Sequence, residues 1–444
     1  MPDLVTSRIF VDGEKGITAT KMNQIISGAV IQPEFVSSKP ASSTLDPTDQ
    51  LLELKGGTAY ATITGQQVID SVSASVNQNI TPTITAVRLR SFNGAGNPSF
   101  ECDQVNAHTA SAMPSGSVKA CDRWFLNTVG TMRATTQVIG SGWPNFILLP
   151  GTNFNISRNN LRVTLTTAQA SLGAGDALHI NQLCEGIQFR ELAADLHSIS
   201  LLVRTSVSGL KFGLVLRDAI TATRTLAKLC TIPSANTWTL ITLPNLPVWP
   251  TAGAFSPNVG TQGYQIVICL AAGTNLTVPA NDTWQNGNFF GALGQDNFAS
   301  KATSSTFDIA FIQHEPGSQC TTLIDKPFSA NLDECLRYYQ KTYAYGTNNG
   351  AVTGIGQRSW LVPAGANYAM GPTSFLKPMA KVPTVTFYNP ATGAANSVRD
   401  GGAADHAGAA ASSSGDNGFY NVAFTGTVAS ASYIFAHYVA DTGW

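Results

Sequence analysis

The chain has 444 residues, 26 Lys and Arg against 27 Asp and Glu, and a net charge of −1. Charged residues make up 12% of it, about half the usual share for a soluble domain, and no Lys or Arg stripe marks one face. That argues against the non-specific nucleic-acid binding that needs a basic surface, while 40 Gly with abundant Ser, Thr, Ala and Asn point to turn-rich β structure. A low-charge surface of hydroxyls and amides suits an ordered assembly or contact with neutral sugars. The seven Cys (102, 121, 184, 230, 269, 320, 335) are scattered, odd in number and without a C-x-x-C. They form neither a disulfide framework nor a zinc site, and they suit synthesis in a reducing compartment. The opening Met1-Pro2-Asp3 lacks the basic start and apolar run of a signal peptide. The most apolar run, YQIVICLAAG at 264–273, is too short to cross a membrane, so no membrane insertion is expected.

In chain order, residues 1–83 begin strand-like, turn at a Gly, and enter a short helix near Thr18 with Met22, Ile25 and Ile26 on one face. Residues 32–57 are Pro/Ser/Thr-rich and extended, and a second helix over 64–76 groups Val68, Ile69, Val72 and Val76. Helices this short are marginal without packing. The segment is therefore either an arm lying on its own β domain or one that packs on copies of itself or on another protein. Over 84–328, runs such as LRVTLTT (161–167), SISLLVRTS (198–206), LKFGLVLRD (210–218) and YQIVICLAAG alternate with turn signals, and no long helix intervenes. Many short strands at this spacing predict an antiparallel two-sheet sandwich of jelly-roll type.

Residues 307–343 form the hinge of the reading. FDIAFIQ alternates as a strand, and Pro316-Gly317-Ser318 break it. An amphipathic helix follows within 329–344, with Asn331 as cap, Glu334 at N3, and Leu332, Cys335, Leu336 and Tyr339 in one stripe. The last piece, 345–444, carries four strands (WLVPAGA, VPTVTFYN, GFYNVAFTG, SYIFAHYVAD). A low-complexity stretch, 391–418, separates the second from the third and reads as a disordered or a functional tip loop. Four strands with a half-apolar face are expected to pack on a neighbour.

Catalytic constellations are absent from the sequence. Its six His stand apart, without H-E-x-x-H or H-x-H, and there is no G-x-S-x-G, P-loop or EF-hand loop. No cofactor or metal is expected, and no ligand-spaced Asp cluster marks a calcium site. Asp122 and Glu185 are the candidate carboxylate pair for glycoside hydrolysis. The alternative places Asp122 and Arg123 in an ion pair beside a core Trp124, with Gln182 and Glu185 satisfying sheet-edge groups. Trp143, Trp249 and Trp284 lie in loop-like sequence (SGWPN, PVWPT, DTWQN). Each either offers a sugar an apolar face with a polar edge or plugs an end of the sandwich.

Gln313, Glu315, Gly317, Ser318, Glu334, Cys335, Arg337, Tyr338 and Tyr339 fall in an order that resembles the end of the β-sandwich domain in phage tail-fibre and related virion-appendage proteins. The chain departs from that pattern by inserting His314 and by varying the loop around Pro327-Phe328. CDRW at 121–124, Gln182 with Glu185, Trp238, and Gly16-Ile17-Thr18-Ala19 with Met22 and Asn23 resemble further pieces of it. The resemblance implies a mainly β protein: an attachment arm with short helices (1–83), a carbohydrate-binding-like jelly roll (84–328), a connecting helix (329–344) and a small C-terminal β module (345–444). It implies a non-enzymatic virion protein on the tail or capsid exterior, made in the host bacterial cytoplasm. Such a protein would be a homotrimer held to other virion proteins through residues 1–80, of receptor-binding tail-fibre type, adsorbing by weak multivalent contacts to a bacterial surface glycan. A head fibre or capsid decoration is the alternative. A glycan depolymerase of the commonest form would carry parallel β-helix repeats, which the sequence lacks.

Overall fold

A computed structural model describes residues 50–55, 59–64 and 92–444, except 114–115, 141–145, 154, 194–195, 219, 222 and 324–325. The helix expected near Thr18, all but the first residue of the one over 64–76, and Trp143 lie outside the described residues. The chain divides into two units, Met1–Arg88 and Leu89–Trp444. The described part of the first is an antiparallel hairpin, β1 (Gln50–Lys55) and β2 (Ala59–Thr64).

The second unit opens with the predicted sandwich. Its strands are β3 (Ser111–Met113), β4 (Gly116–Cys121), β5 (Trp124–Val129), β6 (Arg133–Gly140), β7 (Ile147–Leu148), β8 (Asn155–Ser157), β9 (Asn159–Thr167) and β10 (Ala177–Glu185). After helix α1 (Gly186–Leu192) come β11 (His197–Thr205), β12 (Leu210–Arg217), β13 (Arg224–Ile232), β14 (Thr239–Leu246), β15 (Gln262–Ala272), β16 (Trp284–Asn286) and β17 (Thr306–Pro316). They form a seven-stranded sheet, β16-β13-β12-β15-β10-β5-β4, and a six-stranded one, β14-β11-β17-β9-β6-β3, with antiparallel pairing throughout. The alternation sets the faces. Leu161, Val163 and Leu165 of β9 point into the core, where they meet Trp124, Leu126, Phe212, Ile266 and Phe307 from the other strands. Each such burial contributes roughly 1.5–3 kcal/mol. The outer face of the seven-stranded sheet is covered too. The chain between β15 and β17 lays Val278, Phe289, Phe290 and Ala292 on Val215, Val267 and Cys269.

The connecting helix differs from the expectation. Helix α2 runs Phe328–Cys335 with Pro327 as its N-cap, and Asn331 lies buried within it. Proline suits a helix start because its φ is already helical and the first N–H groups have no partner there. Tyr339 leaves the helix and opens a strand, β18 (Tyr339–Lys341), paired with residues 439–441. Leu332 and Leu336 are half-buried, not buried.

The C-terminal module is also larger than read. It has β19 (Arg358–Val362), β20 (Tyr368–Ser374), β21 (Thr384–Tyr388), β22 (Ser397–Asp400), β23 (Asp405–Ala407), β24 (Ala410–Ser412), β25 (Gly418–Ala423) and β26 (Ser432–Asp441). Three of these strands come from the low-complexity stretch 391–418. The path β23-β22-β26-β19-β20-β25-β24 is extended by β18 and β21, which flank the second half of β26. Ten residues make β26 about 33 Å long, enough to serve two sets of partners and let the sheet bend. The bent sheet encloses its own core around Trp360, Phe387, Phe419, Val422 and Ile434. The expectation that it must lean on a neighbour for lack of a core therefore does not hold.

Candidate functional site

Four of the residues singled out by motif, Arg123, Glu185, Arg337 and Tyr338, meet at one seam between the sandwich and the segment after α2. Glu185, at the end of β10, has no solvent exposure. Arg337 donates to both its oxygens, at 2.8 and 2.6 Å, the Tyr338 hydroxyl donates at 2.7 Å, and the Gly260 N–H at 2.8 Å. Burial by itself would raise the Glu185 carboxyl; the Arg337 hydrogen bonds, the Gly260 N–H and the Tyr338 hydroxyl together hold it below its usual value. Gly260 sits at φ +73 with the Ala380 carbonyl 2.7 Å from where a Cβ would stand, so a side chain there would be strained and would clash.

The Arg123 guanidinium lies 3.5 Å over the Tyr338 ring and donates to the Leu183 carbonyl at 2.9 Å. Gln182 both donates to and accepts from the Gly96 backbone, at 2.8 and 2.7 Å, and the Trp124 indole donates to the same carbonyl at 3.1 Å. Asp122 accepts from the Gln104 N–H and side-chain amide at 2.5 and 2.9 Å, and burial pushes its carboxyl up to about 6. Glu315 accepts from Gln313 at 3.0 Å and from the Thr321 N–H and hydroxyl at 2.7 and 2.6 Å. The Tyr339 hydroxyl accepts from Asn349 at 2.6 Å. Apart from Arg123 Nε and Nη1, which are buried without a hydrogen-bond partner, these groups are spent on one another. Asp122 and Glu185, both without solvent exposure, are two separate structural carboxylates and not a hydrolytic pair open to a substrate.

Trp249 and Trp284 do not form a platform either. Trp249 is 6% exposed and sits in a cluster with Phe189, Phe255, Tyr264 and Trp284, their ring centroids 5.1 to 5.3 Å away. Trp284 is half-buried and donates to the Val248 carbonyl at 3.0 Å. Both are plugs. Beneath them runs a buried chain: Tyr264 hydroxyl to His314 Nδ1 at 2.9 Å, His314 Nε2 to His197 Nδ1 at 3.0 Å, and His197 Nε2 to the Pro247 carbonyl at 3.1 Å. One direction of donation satisfies every member with both imidazoles neutral. Burial accordingly lowers His314 well below the ordinary value and His197 to about 4.

Exposed aromatic surface lies instead on the C-terminal module. The tyrosines that stand exposed among the described residues are Tyr368 (42%), Tyr420 (50%) and Tyr433 (53%). Along β26, Ile434 and Ala436 enter the core, which turns Tyr433 and Phe435 outward. Register then builds two adjacent rows on the outer face, Arg399–Phe435–Ser359 and Tyr433–Leu361–Met370, with Tyr368 two residues from Met370. A groove of about 300 Å³ runs beside them, lined by Phe435, Gln357, Arg399, Asp400 and Pro390. Arg399 donates to Asp405 at 2.8 Å, and His406 pairs with Asp400 at 3.1 Å. Half-exposed rings next to amide, guanidinium and carboxylate groups can stack on a sugar and hold its hydroxyls. The sequence reading missed these residues. The alternation in SYIFAHYVAD signalled a strand but is apolar on both faces, and Tyr368 and Met370 fall between the strands it recognised.

No family model and no curated protein matches the chain. Among solved structures, the carbohydrate-binding module TmCBM61 in complex with β-1,4-galactotriose aligns at 11% identity and a TM-score of 0.26, over 50% of this chain and 97% of that one. A family 11 carbohydrate-binding module from Clostridium thermocellum, in complex with a mixed-linked tetrasaccharide, aligns at 11% identity and 0.25, over 46% and 97%. The enzymatically active domain of bacteriophage CBA120 tailspike protein 4 aligns at 12% and 0.24, over 50% of this chain and 21% of its own. Overlaps this loose carry no site and no ligand from those proteins to this one.

Proposed function

We propose that the protein is an adhesive, non-enzymatic appendage protein of the phage tail-fibre type, and that it contacts a bacterial surface glycan through the outer face of its C-terminal sheet. The observation that carries the glycan reading is the pair of cross-strand rows bearing Phe435, Tyr433, Leu361 and Met370, beside the groove lined by Arg399, Asp400 and Gln357. The virion assignment is supported by the motif resemblance and by the low-charge surface. The sandwich then acts as a rigid carrier: Trp124 and Trp249 are buried in it, and the seam around Glu185 fixes the C-terminal module on it. A homotrimer belongs to the same proposal, supported by the exposed Val352, Ile355, Leu376 and Val382 on the module. Residues 1–80 would attach it to other virion proteins.

The test is binding of the full chain to an array of neutral bacterial-surface oligosaccharides, with titration of each hit. Dissociation constants near millimolar per copy, weakened about tenfold by Tyr433→Ala, are expected for loss of one stacking partner. Unchanged binding in Tyr433→Ala and Tyr368→Ala, or no binding to any glycan, would overturn the reading. Light scattering that returned a monomer at micromolar concentration would remove the trimer.

A further inference from the structure

A second groove, of about 390 Å³ and sharing no lining residue with the first, lies where β18, β21 and β26 face the sandwich strand β4. That volume falls within the usual range for small-molecule sites, about 300–1,000 Å³. Its floor follows from register. On β21, Phe387 enters the core, so Thr384, Thr386 and Tyr388 share the other face and point three hydroxyls into the groove. Thr384 stands opposite Asp441 on β26, and Asp441 opposite Tyr339 on β18. Lys119 of the sandwich forms an ion pair with one oxygen of Asp441, which also accepts from the Gly443 N–H at 2.7 Å.

Among the described residues the hydroxyls of Thr384, Thr386 and Tyr388 have no hydrogen-bond partner, and neither does the second Asp441 oxygen. Lys119, by contrast, is 9% exposed, is spent on Asp441, and lies over the Phe125 and Tyr339 rings at 5.5 and 5.0 Å. The groove therefore offers several unspent donors and acceptors with its one ion pair internally neutralised. An anion would find no free cation there, and an apolar ligand would strand the hydroxyls. A neutral polyhydroxylated molecule satisfies the lining. We infer that this groove is a second saccharide site, taking a single neutral sugar unit, separate from the tyrosine face.

The experiment uses the full chain and a panel of methyl glycosides (glucoside, galactoside and mannoside), read by saturation-transfer NMR and titration. Thr386→Val and Tyr388→Phe remove one hydroxyl each while keeping shape, so the fold is preserved, and a thermal melt checks that it is. Either should weaken one glycoside roughly three- to tenfold, the effect of one neutral hydrogen bond. Glycoside binding that responds to Tyr433→Ala and not to Thr386→Val or Tyr388→Phe would overturn the second site and leave the tyrosine face standing. Binding lost only in the groove variants would do the reverse. No saturation transfer at about 10 mM sugar, or preference for a uronate over the neutral glycosides, would also overturn it.

Discussion

Arg337→Ala tests the seam on which the C-terminal module is mounted. The substitution removes two charge-assisted hydrogen bonds, at 2.8 and 2.6 Å, from a carboxylate that water does not reach. Breaking a buried pair from one side costs about 3–5 kcal/mol, because the remaining charge is stranded. The Arg337 side chain is 27% exposed, and Glu185 keeps Tyr338 and Gly260, so the lower end, about 3 kcal/mol, is expected. The Tyr338 ring, freed on one side, should also loosen from Arg123 and admit protease near residue 346. A thermal melt with limited proteolysis reads both effects. The double variant Glu185→Leu with Arg337→Met removes both charges and should lose less than the single one, since no charge is stranded. A loss below about 1 kcal/mol for Arg337→Ala, the value of an exposed pair, with an unchanged cleavage pattern would refute the reasoning.

Stability should fall as the solution is acidified from about pH 6.5 toward 4. His197 and His179, lowered by burial to about 4 and about 3, and His314, lowered well below its ordinary value by burial, bind fewer protons folded than unfolded, so each loses stability below the unfolded value near 6.5. Asp122, raised by burial to about 6, works the other way, being most stabilising below its unfolded value and losing that as pH rises through 6. His437, Glu185 and Asp400, all lowered, add to the loss on acidification, and Asp103, raised by burial, works with Asp122. The balance is a net loss, with His197 alone worth about 3 kcal/mol across its window, and a flat or rising denaturation midpoint between pH 6.5 and 4 would contradict it. Leu336→Ala should cost about 1–2 kcal/mol, below the fully buried range, because Leu336 is half-buried; calorimetry of the purified variant gives the number. Trp249→Ala should cost about 3–5 kcal/mol and leave glycan affinity untouched, whereas Tyr433→Ala should do the opposite. Deleting residues 1–80 should leave Leu89–Trp444 folded, since the cut falls in the other unit, but unable to join particles; incorporation of the truncated chain into virions would refute the attachment role.

The sandwich was legible from alternating strands and short apolar runs set between turn signals. LRVTLTT, which alternates, became β9, and YQIVICLAAG, apolar on both faces, became most of β15. The C-terminal strands β19, β21, β25 and β26 were legible, whereas β20 (YAMGPTS), interrupted by Gly371 and Pro372, was missed. So were those in the stretch 391–418, where strands of three and four residues (SVRD, DHA, AAS) carry no periodic signal. The sequence offered Trp143, Trp249 and Trp284 of the sandwich as glycan candidates, whereas the exposed tyrosines among the described residues lie on the C-terminal module. Trp249 sits between Pro residues and looks like loop, yet five aromatic rings close around it.

By itself the sequence determined the fold class, the strand positions and the sets of residues that share a face, because side-chain alternation is a local property of an extended backbone. Only the tertiary structure decided which face is inside. In β26 both sets are apolar, and it is packing against Trp360 and Phe387 that buries Ile434 and Ala436 and leaves Tyr433 and Phe435 to solvent. Tertiary structure likewise ended α2 early. Tyr338 and Tyr339 continue a good helical stripe, but Glu185, 152 residues before Arg337, and the 439–441 strand compete for them. A buried carboxylate and an unpaired strand edge outweigh a local propensity of a few tenths of a kcal/mol per residue, and neither partner is visible from within the helix's own sequence.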